Sequence, residues 1–447
     1  MRFPSVLQYA VRRSAWRILG LHALGLLGLL LVSCSSKAVP EQDQPPREPP
    51  PPDRLTIIAA GDNLFHNIMI RPPPEGGYNF ESYYEEIKPL IKPADIAFIN
   101  QETLLAGEEF GFTGYPSFNT PQEAGQAILK TGFDVINHST NHIMDKGEKA
   151  VFATMDFWAS VKGSSGGGPE FPVILGIHRS AEERNKPVVV EKNNIRLGFL
   201  SYTYGTNGIP LPKDKPYLVS LIDDESMVRE IDLLRPLCDF LVVSMHWGNE
   251  YQHHYSKEQR DLSLLLAEHQ ADLVIGHHPH VIQPFEYISR QEGGSMLCFY
   301  SLGNFISAQT VNATLLGALM FIRLKREAGG GDVVIEEAGV IPTVTHYENN
   351  FTGFKVFPLY NYTEELADKH WKNRTAGEIT LDGLNALAER IFPGGIIGTN
   401  PFAPRLPADP AFSRPRRFRD TALPQGRTKQ HRRADRIIPY AGPETGD

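Results

Sequence analysis

Cysteine is scarce in this chain of 447 residues: Cys34, Cys238 and Cys298 are the three present. So few thiols exclude a disulfide-stapled fold and any cysteine-rich zinc module. Cys238 and Cys298 lie beside apolar runs and are expected as buried thiols rather than as ligands or a disulfide. Positive charge is not in excess either. The 44 Lys and Arg against 52 Asp and Glu give a formal net charge of −8, which argues against a nucleic-acid-binding body. The Gly/Ser run at 163–169 lacks the lysine and the spacing of a phosphate-cradling loop and is expected as a flexible connection. The apolar run at 18–32 is too short and too one-sided for a comfortable transmembrane span.

What remains is ordinary for a globular protein: 41% hydrophobic and 21% charged residues, enough for two or three average domains or for one large α/β unit with tails. Arg12, Arg13 and Arg17 precede the apolar run at 18–32, a positive region followed by a core of signal-peptide length. The run ends Leu31-Val32-Ser33-Cys34, which resembles a bacterial lipobox. Residues 1–34 are therefore expected as a lipoprotein signal peptide with Cys34 as the lipidated residue, and the mature chain as a cell-envelope lipoprotein outside the cytoplasm, periplasmic or on the cell surface. Residues 35–54 are proline-rich and polar and predict an extended linker. From 394 to 447 prolines and arginines dominate, which predicts a disordered basic tail.

Between them the same pattern recurs. A short apolar strand ends, and a side chain able to bind a metal or move a proton follows. Residues 55–60 lead to Asp62, with His66 close behind. Residues 95–99 lead to Glu102. Residues 133–136 lead to Asn141, His142 and Asp145, where Asp145 is placed to orient the His142 ring or to cap the helix predicted over 147–161. Residues 240–244 lead to His246 and Glu250. Residues 272–275 are ended by Gly276, and His277, His278 and His280 follow around Pro279. Residues 296–300 lead to Asn304 in a small-residue turn whose backbone amides are placed to face an anion. Thr120, Pro121 and Glu123 read as the start of a helix that stops near Gly132. Asn193-Asn194 reads as a hairpin turn, Ser256 as a helix cap, and residues 319–324 with 333–341 as an antiparallel pair. Ligand-type side chains after five separate strands point to one shared site. A mixed set of carboxylates, an amide oxygen and imidazoles suits one or two divalent metal ions, Mn, Zn, Fe or Mg.

Six motifs carry a resemblance: GD at 61–62, NQET at 100–103, NHIMDKG at 141–147, HWGNEY at 246–251, GHHPHVIQ at 276–283 and SLGNF at 301–305. Together they resemble the CapA family of bacterial capsule (poly-γ-glutamate) synthesis proteins, itself similar to calcineurin-like metallophosphatases. The resemblance covers about residues 55–342. It implies a four-layer α/β/β/α sandwich over 55–345, and the helical run at 381–392 places an extension, 346–393, packed on the body. It implies Asp62 and His280 on a first metal, Glu102 at the bridging position, and Asn141, His246 and His278 on a second. His142 would be the acid/base; from their places in the chain, Asp145 is expected to act with it and Glu250 and Asn304 to contact substrate. Two positions depart from the phosphatase pattern. Asp62-Asn63-Leu64 stands where Asp-x-His is usual, and Glu102 stands where Asp is usual.

Two functions follow from the resemblance. One is a metal-dependent hydrolase acting on a phosphorylated substrate or an anionic envelope polymer. The other is a non-catalytic component that binds the polymer and a capsule synthesis complex at the membrane through its lipid anchor. A general periplasmic metallophosphoesterase is a third reading. None of the three calls for nucleic acid.

Overall fold

The computed structural model describes residues 53–71, 77–163, 171–371 and 379–403. Cys34, the lipobox, the linker as far as residue 52, most of the Gly/Ser run and the tail beyond residue 403 lie outside them. In chain order the strands are β1 (Arg54–Asn63), β2 (Ile96–Gln101), β3 (Val135–Asn137), β4 (Val173–Leu175), β5 (Val189–Lys192), β6 (Ile195–Thr203) and β7 (Phe240–His246). They continue as β8 (Leu273–His277), β9 (Ile282–Ser289), β10 (Ser295–Leu302), β11 (Asn304–Ile306), β12 (Leu316–Arg326), β13 (Val333–Glu348) and β14 (Thr352–Pro358).

These strands make two sheets, ordered β14-β13-β12-β1-β2-β3-β4 (with β11 beside β1) and β5-β6-β7-β8-β10-β9. β1 through β4 run parallel, as do β6, β7, β8 and β10. Parallel strands need crossovers, and the crossover helices cover the outer faces. Alternation along each strand then sorts the side chains into layers. Leu241, Val243 and Met245 pack with Met227, Ile231, Leu262 and Leu266 of helices Asp224–Leu234 and Lys257–Glu268. Their neighbours Phe240 and Val242 belong to the large core that also holds Ile57, Phe98 and Phe321 of the other sheet. Ala124, Ile128, Phe157 and Trp158, from helices Gln122–Thr131 and Gly147–Ser160, join that core from the outer side. The result is helix, sheet, sheet, helix, the layering that the resemblance implied. Each large apolar side chain buried between the sheets contributes roughly 1.5–3 kcal/mol.

Several local signals act as predicted. Asn193 and Asn194 take φ of 49° and 58° and close the β5–β6 hairpin, the geometry of a two-residue turn that matches strand twist. Ser256 and Gln259 form a reciprocal capping box. Gly132 ends its helix in a left-handed conformation. Cys238 and Cys298 are buried and free.

Other expectations are corrected. Gly276 does not end its strand: β8 runs through it to His277. An added Cβ there would sit 2.0 Å from the Tyr300 carbonyl oxygen, so the position needs glycine for close strand approach and not for a break. Thr120 does not cap a helix. Pro121 is the N-cap and helix Gln122–Thr131 has no side-chain cap, because the Thr120 hydroxyl pairs with that of Thr103 at 2.8 Å. Helix Gly147–Ser160 is likewise capped by Lys146 with no side-chain bond, so Asp145 is free for other work. β13 crosses residue 345 and pairs with β14, so the sheet continues past that expected domain edge. The body also extends beyond residue 394: Ile397 N–H donates to the Val340 carbonyl at 2.8 Å. Among the described residues, no helix is long and apolar enough to cross a membrane.

Candidate metal centre

Strand register lines up the polar residues before any side chain is considered. In the larger sheet Asp62 is paired with Asn304 on one side and Asn100 on the other, and Asn100 with Asn137. In the smaller sheet Thr203, His246 and His277 form one row. Both rows lie at the carboxyl ends of parallel strands, where open α/β sheets bind ligands. A register shift between Ala60 and Asp62 marks a bulge at Gly61. The missing side chain of Gly61 is required there, since a Cβ would lie 1.9 Å from the Gly303 oxygen. That approach lets Asp62 N–H donate to Gly303 at 2.9 Å and brings β11 beside β1.

The donors converge in three overlapping groups, each with ligand atoms within 4.8 Å of one another: Asp62, Glu102 and His280; Glu102, His246 and His278; and Glu250, His278 and His280. Glu102 belongs to the first two. Its Oε1 lies 3.8 Å from His280 Nε2 and 3.9 Å from His246 Nε2. Asn141 Oδ1 is 2.9 Å from His246 Nε2. Asp62 accepts from Asn100 Nδ2 at 2.8 Å, from His278 N–H at 3.2 Å and faces His280 Nδ1 at 3.1 Å. His278 and His280 hold φ of 96° and 59°, left-handed conformations uncommon outside glycine that tend to cluster at functional sites.

The electrostatics are those of a buried site with too much negative charge for its hydrogen bonds. Burial, and then the neighbouring Asp62 charge, push the Glu102 carboxyl well up. Burial also works against the Asp62 carboxylate, but its hydrogen bond to His280 and the charges of His280 and His277 hold it below the usual range. Burial depresses His246 well below an ordinary imidazole, helped by the surrounding histidines, and takes His278 to about 3. Both are therefore neutral, the state in which imidazole ligates a metal. His280 is raised to about 9: burial opposes its charge, but the Glu102 and Asp62 carboxylates outweigh burial. Both oxygens of Glu102 and Nδ1 of His278 are buried without a hydrogen-bond partner. Such groups are destabilising unless something satisfies them. This mixed oxygen and nitrogen set fits a divalent transition metal.

The remaining predicted residues divide. His142 Nδ1 meets Asp145 Oδ2 at 2.7 Å, and the same oxygen accepts from Phe118 N–H at 2.7 Å. Phe118 packs edge-on against the His142 ring, centroids 4.6 Å apart. Glu250 is exposed at the rim beside His278 and His280. Asn304 departs from its predicted place at a substrate. It is 1% exposed, its Oδ1 lies 3.0 Å from His280 Nδ1, and its Nδ2 donates to Ser307, Gln309 and Thr314. Its turn is closed too, because Gly303 N–H donates to Ser301 Oγ at 3.1 Å. His66 joins none of the groups: its Nδ1 accepts from Ala308 N–H at 3.3 Å. Leu64 is buried apolar surface, and Asn63 bonds to Tyr84 and Gln101.

Sequence reasoning missed Asn100, Asn137, Tyr204 and Asn207, and it set His277 among the candidate ligands although His277 joins none of the three donor groups. Asn100 and Asn137 form a chain behind Asp62, with Asn137 Nδ2 donating to Asn100 Oδ1 at 2.7 Å. His277 stacks on Phe98. Tyr204 lies over His278, centroids 4.7 Å apart. Asn207 reaches both Asn141 and His142. The asparagine at each strand end was the available signal for the first two.

Comparison with known proteins identifies the family. The family described as bacterial capsule synthesis protein PGA_cap matches residues 56–309. The chain is 26% identical over 282 residues to PGA biosynthesis protein CapA of Bacillus subtilis (strain 168), covering 62% of this chain and 70% of that one. It is 27% identical over 343 residues to capsule biosynthesis protein CapA of Bacillus anthracis, covering 73% and 78%. Among solved structures it is similar to the calcineurin-like phosphoesterase YfkN from Bacillus subtilis, at 14% identity and a TM-score of 0.35 over 65% of this chain and 91% of that one. It is also similar to the NAD nucleotidase NadN from Haemophilus influenzae, at 9% identity and a TM-score of 0.40 over 75% and 67%. The family match spans more than half of the chain and contains every residue of the converging donor set: the chain belongs to the bacterial capsule synthesis protein family PGA_cap.

Proposed function

We propose that this protein is a metal-dependent hydrolase of capsule or poly-γ-glutamate synthesis, acting on a phosphorylated substrate or on the anionic polymer itself. The observation that carries this reading is Glu102, whose two buried carboxylate oxygens have no hydrogen-bond partner and face two adjacent groups of donors. Asp62, Glu102 and His280 would hold one ion. Glu102, His246 and His278, with Asn141 Oδ1, would hold the other. A divalent metal in such a site polarises a phosphoryl or acyl oxygen and lowers the pKa of water.

The chain's own residues do the rest. Asp145 fixes the His142 ring through Nδ1, which leaves Nε2 to give or take the proton of the leaving group. Phe118 shields one face of that ring from water. Asn100 and Asn304 hold Asp62 and His280 in place. Glu250 stands at the rim, where an incoming substrate passes. The lipobox supplies the setting: Cys34 carries the lipid, and the body acts at the membrane surface outside the cytoplasm.

The test is metal analysis of the purified protein, followed by phosphoesterase assay with Mn²⁺ or Zn²⁺. His142→Ala should keep its metal and lose on the order of 10²–10⁴ in turnover, the contribution of a general acid or base. A second reading, non-catalytic polymer binding, is favoured by one observation. Leu64 stands where the phosphatase pattern has a histidine, and the first donor group has three members without it. Polymer binding with no metal and no turnover would establish that reading instead.

A further inference from the structure

Asn207 touches both residues of the Asn141–His142 pair, although it comes from the other sheet. Its Oδ1 accepts from Asn141 Nδ2 at 3.1 Å, and its Nδ2 lies 3.2 Å from His142 Nδ1. Tyr204 Oη donates to the same Oδ1 at 3.4 Å. Asn141 and His142 follow β3 of the larger sheet, whereas Asn207 follows β6 of the smaller one.

The contact comes from a rigid base. Asn207 and Gly208 have φ of 51° and 77°, and Ile209 N–H donates to the Thr206 carbonyl at 2.9 Å. Two successive left-handed residues in a closed turn make a type I′ turn, for which Asn-Gly is a favoured pair. The Thr206 hydroxyl donates back to the Ile209 carbonyl at 2.6 Å. Tyr204 N–H donates to the His246 carbonyl at 3.0 Å, so the turn is fastened to the strand that carries His246.

A carboxamide has one accepting end and one donating end of nearly the same shape. Asn141 shows its oxygen to His246 because its nitrogen is held by an acceptor. Without that acceptor, the amide is free to turn over and donate to the neutral imidazole of His246, and the oxygen is lost to the centre.

We infer that Asn207 is a positioning residue of this site. It sets the Asn141 carboxamide with its oxygen toward His246 and ties the loops of the two sheets together. Its effect on metal affinity rests on the reading of the site as a metal centre; its effect on Asn141 does not.

Two variants of the full chain test this. Asn207→Gly removes the side chain and suits the left-handed turn. Asn207→Asp keeps an acceptor for Asn141 and keeps the turn. Neutron diffraction of the metal-free proteins separates amide nitrogen from oxygen through the exchanged deuterons. Calorimetry reads Mn²⁺ affinity, and thermal unfolding checks the fold. In Asn207→Gly the Asn141 amide should be reversed or disordered, with an unchanged unfolding midpoint. Its Mn²⁺ affinity should fall about 10-fold or more, as for other residues that orient a metal ligand. Asn207→Asp should keep the wild-type amide and affinity. An Asn207→Gly protein with Asn141 oxygen still on His246 overturns the inference, as does an Asn207→Asp protein as impaired as Asn207→Gly. Should wild-type protein bind no Mn²⁺, the metal reading fails, and the neutron result alone decides the role of Asn207.

Discussion

His246 Nε2 and Asn141 Oδ1 meet at 2.9 Å across the gap between the two sheets. One residue ends β7 and the other lies in the loop after β3, so neither sheet alone forms this part of the site. The contact also brings His246 to the edge of the Glu102 carboxylate. His246→Ala removes an imidazole from the Glu102–His246–His278 group and leaves the Asp62–Glu102–His280 group intact. Calorimetric titration with Mn²⁺ should show a single remaining equivalent where the wild type shows two.

Glu102 carries a stability penalty in the metal-free fold. Its two oxygens are buried and unsatisfied, and a group in that state costs about 1–3 kcal/mol. Metal-free Glu102→Gln should therefore unfold at a higher temperature than metal-free wild type. Added Mn²⁺ should raise the wild-type midpoint and leave that of Glu102→Gln nearly unchanged, because a ligand stabilises only the state that binds it. Differential scanning calorimetry with and without metal reads both effects.

The bulge at Gly61 admits no side chain. With a Cβ 1.9 Å from the Gly303 oxygen, Gly61→Ala forces β1 and β11 apart, at a cost at or above ~3 kcal/mol, the upper end for overpacking. Urea unfolding should show a lower midpoint, and metal affinity should fall because Asp62 moves with the bulge.

Much of the site could be read from the chain because its logic is local. Asp62, Glu102, His246 and His278 each stand at or just past the end of an apolar strand, and that placement needs no tertiary information. What failed depended on neighbours. Asn304 looked like a residue open to a ligand, but β11 lies against β1 and its amide is consumed by His280 and Thr314. Gly276 looked like a strand terminator, but close contact with β10 demands a glycine inside the strand. Thr120 looked like a cap until Thr103, distant in sequence, claimed its hydroxyl. Asn207 carried an Asn-Gly turn signal, yet nothing in the sequence placed that turn against Asn141. Long strands were read short: β13 runs to Glu348 because β12 and β14 flank it on both sides.

One acid outside the site gives a pH signature. Burial raises the Asp134 carboxyl to about 6, against the smaller pull of its bond to Ala97 N–H and of Lys192. A folded-state pKa above the unfolded value near 4 means that the folded protein binds the extra proton. The associated stability is present below about pH 4 and is lost as pH rises through 6. Asp134→Asn keeps an oxygen for Ala97 and carries no charge to bury. It should match wild type near pH 4 and exceed it by about 2–3 kcal/mol at pH 7.5, as measured by urea unfolding at the two pH values.

The central claim is that Glu102 lies between two cation sites built by both sheets. A crystal structure of the Mn²⁺-soaked protein, with anomalous diffraction recorded at the manganese edge, tests it most directly. The account predicts two anomalous peaks, both within coordination distance of Glu102, one shared with Asp62 and His280 and the other with His246 and His278. Absence of any peak among these residues, or manganese bound only elsewhere on the protein, would contradict it.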